Sequence, residues 1–424
     1  MPTPPAPQFP RFAVVLRCLT AACVLLAMLA PVVVPASGAV GGPSERRNVA
    51  VTPSRFYTIH SDLGPALTAE LARELDLCHA DFSRRLDAFA PAAPEFERYD
   101  VHLFAQRRDY ASFTGNAIPN SAGAFHSGKR ALCAFLEGQG TAELKQTLRH
   151  EAFHQFAHER LGTELPVWAN EGLAQVFEYG VRVGDELRMG EVPAGPLIEV
   201  QQAVAEGRLI DFATMLTFDE PGWAGAMAHR DSGGLLYAQA WAMVHFLVYA
   251  DDGAGRPLYR ELFNNFLADV ASGTPGDSAW QQNFGTNLAG FRARFEAYIL
   301  NLQPTPLAST LDAQEVLARM LILLDGQGRS FGDVLDFREY ATGRGIVLHR
   351  TRNGVTWPSD SDPGVYFRDD RGRNLGAARL RFVRDSARGP MPALERRPGD
   401  GVIYRTRFYT LAGETRHETV CLSE

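Results

Sequence analysis

The chain has 424 residues, of which 46% are hydrophobic and 21% charged, and its formal net charge is -7. That length admits two domains, and the balance is that of a chain with a packed core. The negative charge and the lack of any Lys- or Arg-rich tract argue against DNA or RNA as a partner.

The first charged residues are Arg11 and Arg17, followed by an almost uncharged apolar run from Cys18 to Val34 and then the small residues of Pro35-Ala36-Ser37-Gly38-Ala39. This order predicts a signal peptide over residues 1–39 and export to the periplasm or beyond, with a retained N-terminal membrane anchor as the alternative. Cys23 reads as an ordinary member of the apolar run, since more apolar chain follows it than a lipoprotein site would have. Cleavage after Ala39 leaves Cys78, Cys133 and Cys421, enough for one disulfide and a spare thiol, and spacing does not choose the pair.

Residues 40–48 read as a linker. Arg55 to His60 has strand composition, and Leu67, Leu71, Cys78, Phe82, Leu86 and Phe89 recur at helical spacing behind a cap at Ser61 or Asp62. Asp100 to Phe104 reads as a strand and Arg107 to Phe113 as a short helix. Ala124 to His126 and Ala131 to Leu136 read as two strands joined by Ser127-Gly128-Lys129-Arg130. A β-α-β-α-β-β layer therefore precedes a helix over Glu143 to Arg160. Later helices are expected over Leu197–Glu206, Tyr237–Tyr249, Pro257–Val270 and Leu288–Leu302. Gln303-Pro304-Thr305-Pro306 marks a boundary. Beyond it, a helix over Leu311–Leu324 leads to alternating segments, such as Ala378–Val383 and Val402–Leu411, that predict a small β-rich appendage.

Within the central helix, Leu144, Leu148, Ala152 and Phe156 form one apolar stripe. His150 and His154, at i and i+4, lie about 40° apart around the axis and roughly 6 Å apart along it, so both imidazoles can meet one ion. Glu171 stands 17 positions beyond His154 at the head of another helical pattern, after Gly162 and Pro166 let the chain turn. A returning helix brings it in as third ligand, with Gly172 allowing close approach. Two histidines, one carboxylate and an open position form the zinc-hydrolase pattern. Glu151, about 100° from His150, sits beside the metal as general base. A bare His-Glu-x-x-His arises by chance in about 2% of chains this long, so Glu171 is what decides. Gln175 and Glu178, one and two turns further on, are candidates for holding the imidazole N–H groups. His158 lies roughly 12 Å along the axis from His150, too far to share its ion, and reads as a solvated or supporting residue.

His150-Glu151-Ala152-Phe153-His154 and Trp168-Ala169-Asn170-Glu171-Gly172-Leu173-Ala174 resemble the gluzincin metallopeptidases, and most closely the exported bacterial peptidase MA-like proteins. The resemblance extends more weakly from about Arg55 to Leu302. It implies an α+β, zincin-like core over residues 48–305, with a mixed sheet, an active-site helix and a helical second half, ahead of the appendage at 306–424. It further implies a Zn2+ cofactor on His150, His154 and Glu171, a peptide or protein substrate, and hydrolysis by a zinc-bound water with Glu151 as its base. Tyr237 would stabilise the oxyanion, with His229 as runner-up. An edge strand including Gly123, Ala124 and Phe125 would pair with extended substrate, where a plain structural hairpin is the competing reading. The amino-terminus clamp of the aminopeptidases is missing, so exopeptidase specificity does not carry over. A zincin-fold envelope binding protein with weak or no hydrolysis is the second reading.

Overall fold

The computed structural model describes residues 49–86, 98–115, 121–161, 165–228, 233–352, 355–384 and 389–424. The expected leader at 1–39 and His229 lie outside the described residues. The chain is α+β. It opens with β1 (Ala50–Pro53), β2 (Tyr57–Ser61), α1 (Pro65–Leu86), β3 (Tyr99–Phe104), α2 (Arg107–Phe113), β4 (Gly123–His126) and β5 (Ala131–Phe135). It then runs through α3 (Thr141–Leu161), α4 (Val167–Glu178), β6 (Val181–Val183) and β7 (Glu186–Arg188). A helical stretch follows: α5 (Ala194–Glu206), α6 (Phe212–Thr217), α7 (Glu220–Met227), α8 (Gly233–Tyr249), α9 (Arg260–Ala271), α10 (Gly276–Phe284) and α11 (Leu288–Asn301). The last part holds α12 (Pro306–Asp325), α13 (Val334–Arg344), β8 (His349–Arg352), β9 (Val355–Pro358), β10 (Leu380–Val383), β11 (Ala393–Arg396), β12 (Val402–Leu411) and β13 (Glu414–Ser423).

The first sheet has the order β1-β2-β3-β5-β4. Its interior strands β2, β3 and β5 are parallel, while β1 and β4 close the two edges antiparallel. α1 and α3 pack on one face through fully buried Leu71, Leu75, Phe82, Leu144, Leu148, Ala152 and Phe156. The expected apolar stripe of α3 is thus the core-facing one. Phe82, Phe153 and Phe177 tie α1, α3 and α4 together, with ring centroids 4.5–5.8 Å apart.

Neither Ser61 nor Asp62 caps α1. Ser61 Oγ accepts from the Leu63 N–H and from the Thr68 hydroxyl inside α1, and Asp62 accepts from the Ala105 N–H just past β3. The helix starts at Pro65, whose fixed φ suits a first helical position. Cys78, Cys133 and Cys421 are all free and buried.

The second sheet has the order β10-β11-β12-β13-β6-β7. Its link across residues 303–306 is a parallel pairing of Cys421 with Val183. Val183, Leu307, Val402, Tyr404 and Cys421 form a small core beneath that junction. α11 ends at Asn301 and α12 starts at Pro306, and the C-terminal strands share a sheet with the hairpin that follows α4. Among the described residues no helix is long and apolar enough to cross a membrane.

Candidate metal centre

α3 and α4 pack side by side and bring three side chains together. His150, His154 and Glu171 are all buried, and one ligand atom from each lies within 4.8 Å of the others. Glu171 Oε2 is 3.3 Å from His150 Nε2 and 3.7 Å from His154 Nε2. These three atoms are buried and none makes a hydrogen bond among the described residues. Buried polar atoms are nearly always paired, so three orphans facing one point form a group that can hold a metal ion.

The outward nitrogens of both rings are held. His150 Nδ1 lies 3.1 Å from Glu178 Oε2, as the spacing suggested. His154 Nδ1 lies 3.1 Å from Asn170 Oδ1, so Asn170 takes the place expected for Gln175. The buried Gln175 leaves its Oε1 without a partner among the described residues. With each Nδ1–H so directed, both Nε2 lone pairs turn to the common point. His158 is exposed, its ring 5.2 Å from that of Phe125.

α4 is fixed on its other face by Trp168, whose indole packs on Phe263, Phe266 and Trp280 of α9 and α10. Gly172 permits a close approach, but to α8 rather than to α3: a Cβ there would stand 2.5 Å from the Ala240 carbonyl oxygen and 2.6 Å from Val244 Cγ2. That contact seats α8, and with it Tyr237, whose ring centroid is 6.3 Å from that of His150.

Glu151 is 1% exposed. Its Oε2 accepts from the Phe125 N–H at 2.9 Å, tying α3 to the outer side of edge strand β4. Gly123 sits against α3, where a Cβ would meet Thr147 Cγ2 at 2.6 Å. Ala124 points to the opposite face, beside Cys133 and Tyr110.

Electrostatics follow from crowding three carboxylates and two imidazoles in a buried space. Burial opposes charge on His150, but Glu171 and Glu178 outweigh it and hold its pKa well above the usual histidine range. Burial likewise works against the Glu171 anion, yet His154 and His150 keep its pKa below the usual range. For Glu151 burial wins over the two histidines, and its pKa is raised. Burial, with Glu171 and Glu151 nearby, pushes the Tyr237 hydroxyl well above its usual range, so it stays a donor.

Residues 145–262 match a family model described as a protein of unknown function, DUF1570. The matched stretch holds both histidines, Glu151, Glu171 and Tyr237. No curated protein and no solved structure matches the chain.

A large groove of about 900 Å³ lies elsewhere, between the α3–α4 pair and the C-terminal strands. It touches Arg149 and Glu178 but none of His150, Glu151, His154 or Glu171.

Proposed function

We propose that the chain is an exported zinc metallopeptidase built on a zincin-like core, with His150, His154 and Glu171 as the zinc ligands. The observation that carries this reading is the set of three buried, unpaired ligand atoms turned on one another while Glu178 and Asn170 engage the far side of each imidazole. Two neutral imidazole nitrogens and one carboxylate suit zinc, and three protein ligands leave a position open for chemistry. A zinc ion there would supply Lewis acidity toward a scissile carbonyl.

The chain's own groups then have distinct tasks. Glu151, raised in pKa and not among the ligand atoms, takes a proton from the attacking water and returns it to the leaving amine. Tyr237, held protonated, donates to the oxyanion. Edge strand β4 offers backbone groups to an extended peptide, and Gly123, Ala124 and Phe125 are the residues that would line it.

Glu151→Gln tests the assignment because it preserves shape and leaves the ligands alone. Zinc content and thermal stability should stay near wild type, while cleavage of a peptide library falls by on the order of 10²–10⁴. Glu171→Ala should lose zinc and activity together. Release of zinc by Glu151→Gln, or unchanged cleavage, would overturn the division of labour.

A further inference from the structure

We infer that Glu74 and Arg149 are positioning residues for the metal centre, acting through Glu178 on His150; this rests on the metal reading above. Arg149 precedes His150 on α3, and its guanidinium turns to the C-terminal end of α4. Its Nε and Nη2 both donate to the Glu178 carbonyl, at 3.2 and 3.1 Å. Glu178 is the last residue of α4, where a carbonyl has no partner within its own helix. Arg149 therefore caps α4 from a neighbouring helix, and it fixes the residue whose carboxylate holds His150 Nδ1. The chain of contacts continues to α1: Arg149 Nη1 lies 2.6 Å from Glu74 Oε1, with Arg182 Nη1 at 3.7 Å from the same carboxylate.

Arg149 is 7% and Glu74 2% exposed. A buried ion pair is a poor source of stability, because desolvating two charges offsets most of their attraction, and an apolar pair of like volume usually does as well. Its presence here asks for a reason beyond stability, and the geometry supplies one. The guanidinium grips Glu178 in two directions, while the Glu74 carboxylate cancels a positive charge that would otherwise sit one residue from a metal ligand. Without Glu74, the Arg149 charge would weaken Glu178 as an acceptor and oppose a divalent ion at His150. α1, α3 and α4 are thereby set to one imidazole.

The test is zinc affinity, measured on the full chain by competition with a chromogenic chelator, with the visible spectrum of the cobalt-substituted protein as a readout of ligand geometry. Arg149→Met and the double variant Glu74→Gln, Arg149→Met, which removes both buried charges, should each bind zinc on the order of 10-fold more weakly and shift the cobalt bands. Arg149→Lys, able to keep one donor on the carbonyl, should recover part of the loss. Combined with Glu178→Ala, Arg149→Met should add little, since both act through one carboxylate. Wild type that binds no zinc would sink the metal reading itself. Wild-type affinity and unshifted bands in either Arg149→Met protein, or fully additive effects with Glu178→Ala, would leave that reading intact and overturn the positioning role. Should Arg149→Met fail to unfold cooperatively, the charge-neutral double variant decides.

Discussion

At the scale of single residues, burial opposes charge at the centre while the clustered groups favour it. His150 has a raised pKa and Glu171 a lowered one, each shift favouring the charged form. A raised histidine contributes stability that is complete below its unfolded value, near 6.5, and is lost as pH climbs through the folded value. A depressed carboxylate contributes above its unfolded value, and that part is lost as pH falls. On the proposed reading, zinc binds the deprotonated His150 ring, so its binding competes with protons. The melting-temperature gain from zinc should therefore grow from pH 6 to pH 8, as seen by comparing metal-free and zinc-loaded protein across that range. A gain that shrinks with rising pH would contradict the ligand role of His150.

The cluster of His150, His154 and Glu171 was legible because a four-residue spacing on a helix has a fixed geometric meaning, and because Glu171 heads a second periodic run. Asn170 was not, although it adjoins Glu171: consecutive helical residues point about 100° apart, so adjacency gave no reason to aim it at His154. Arg149 and Glu74 lie 75 positions apart and share no pattern in the sequence. Tyr237 was reached only through resemblance, since nothing in its own helix separates it from a core tyrosine.

At the scale of elements, the approach of α4 to α8 depends on one missing side chain. A Cβ at Gly172 would press on backbone, which does not swing aside as a flexible side chain would. Gly172→Ala should destabilise the protein by about 1–3 kcal/mol, as overpacking does, and should move Tyr237 away from His150. Chemical denaturation measures the first effect, and if the proposed function holds the second should appear as reduced peptidase activity at full zinc occupancy. Equal stability of the variant would show that the two helices can part without cost. The strands and helices with strong periodicity were readable, among them α1, α3, α8 and β12. The short ones were not: β1, β6, β7, α6 and α7 span three to eight residues each, too few for a period to declare itself.

At the scale of the whole molecule, the C-terminal strands reach back to the helix that carries both histidines. The Thr141 N–H, first in α3, donates to the Tyr409 hydroxyl at 2.8 Å, and Thr141 Oγ1 donates to Glu418 at 2.8 Å. Lys145 bridges Glu70 of α1 and Glu418 of β13. A helix start leaves its first N–H groups without partners, so the β12–β13 hairpin acts as a cap on α3. Tyr409→Phe should cost about 1 kcal/mol, the usual worth of a cap, measured by denaturant midpoint. No local pattern announced this, because a strand 268 positions downstream supplies the acceptor.

That separation also sets an order of events in synthesis. The histidine helix leaves the ribosome long before Tyr409 and Glu418 exist, and contacts of such range close late in folding. Until then α3 has an open amino end, and the strand that pairs with Val183 just past α4 has not been made. A nascent chain halted before residue 409 would hold His150, His154 and Glu171 on helices that are not yet secured. On the proposed reading, tight metal uptake then waits for the finished polypeptide, with its last strands in place.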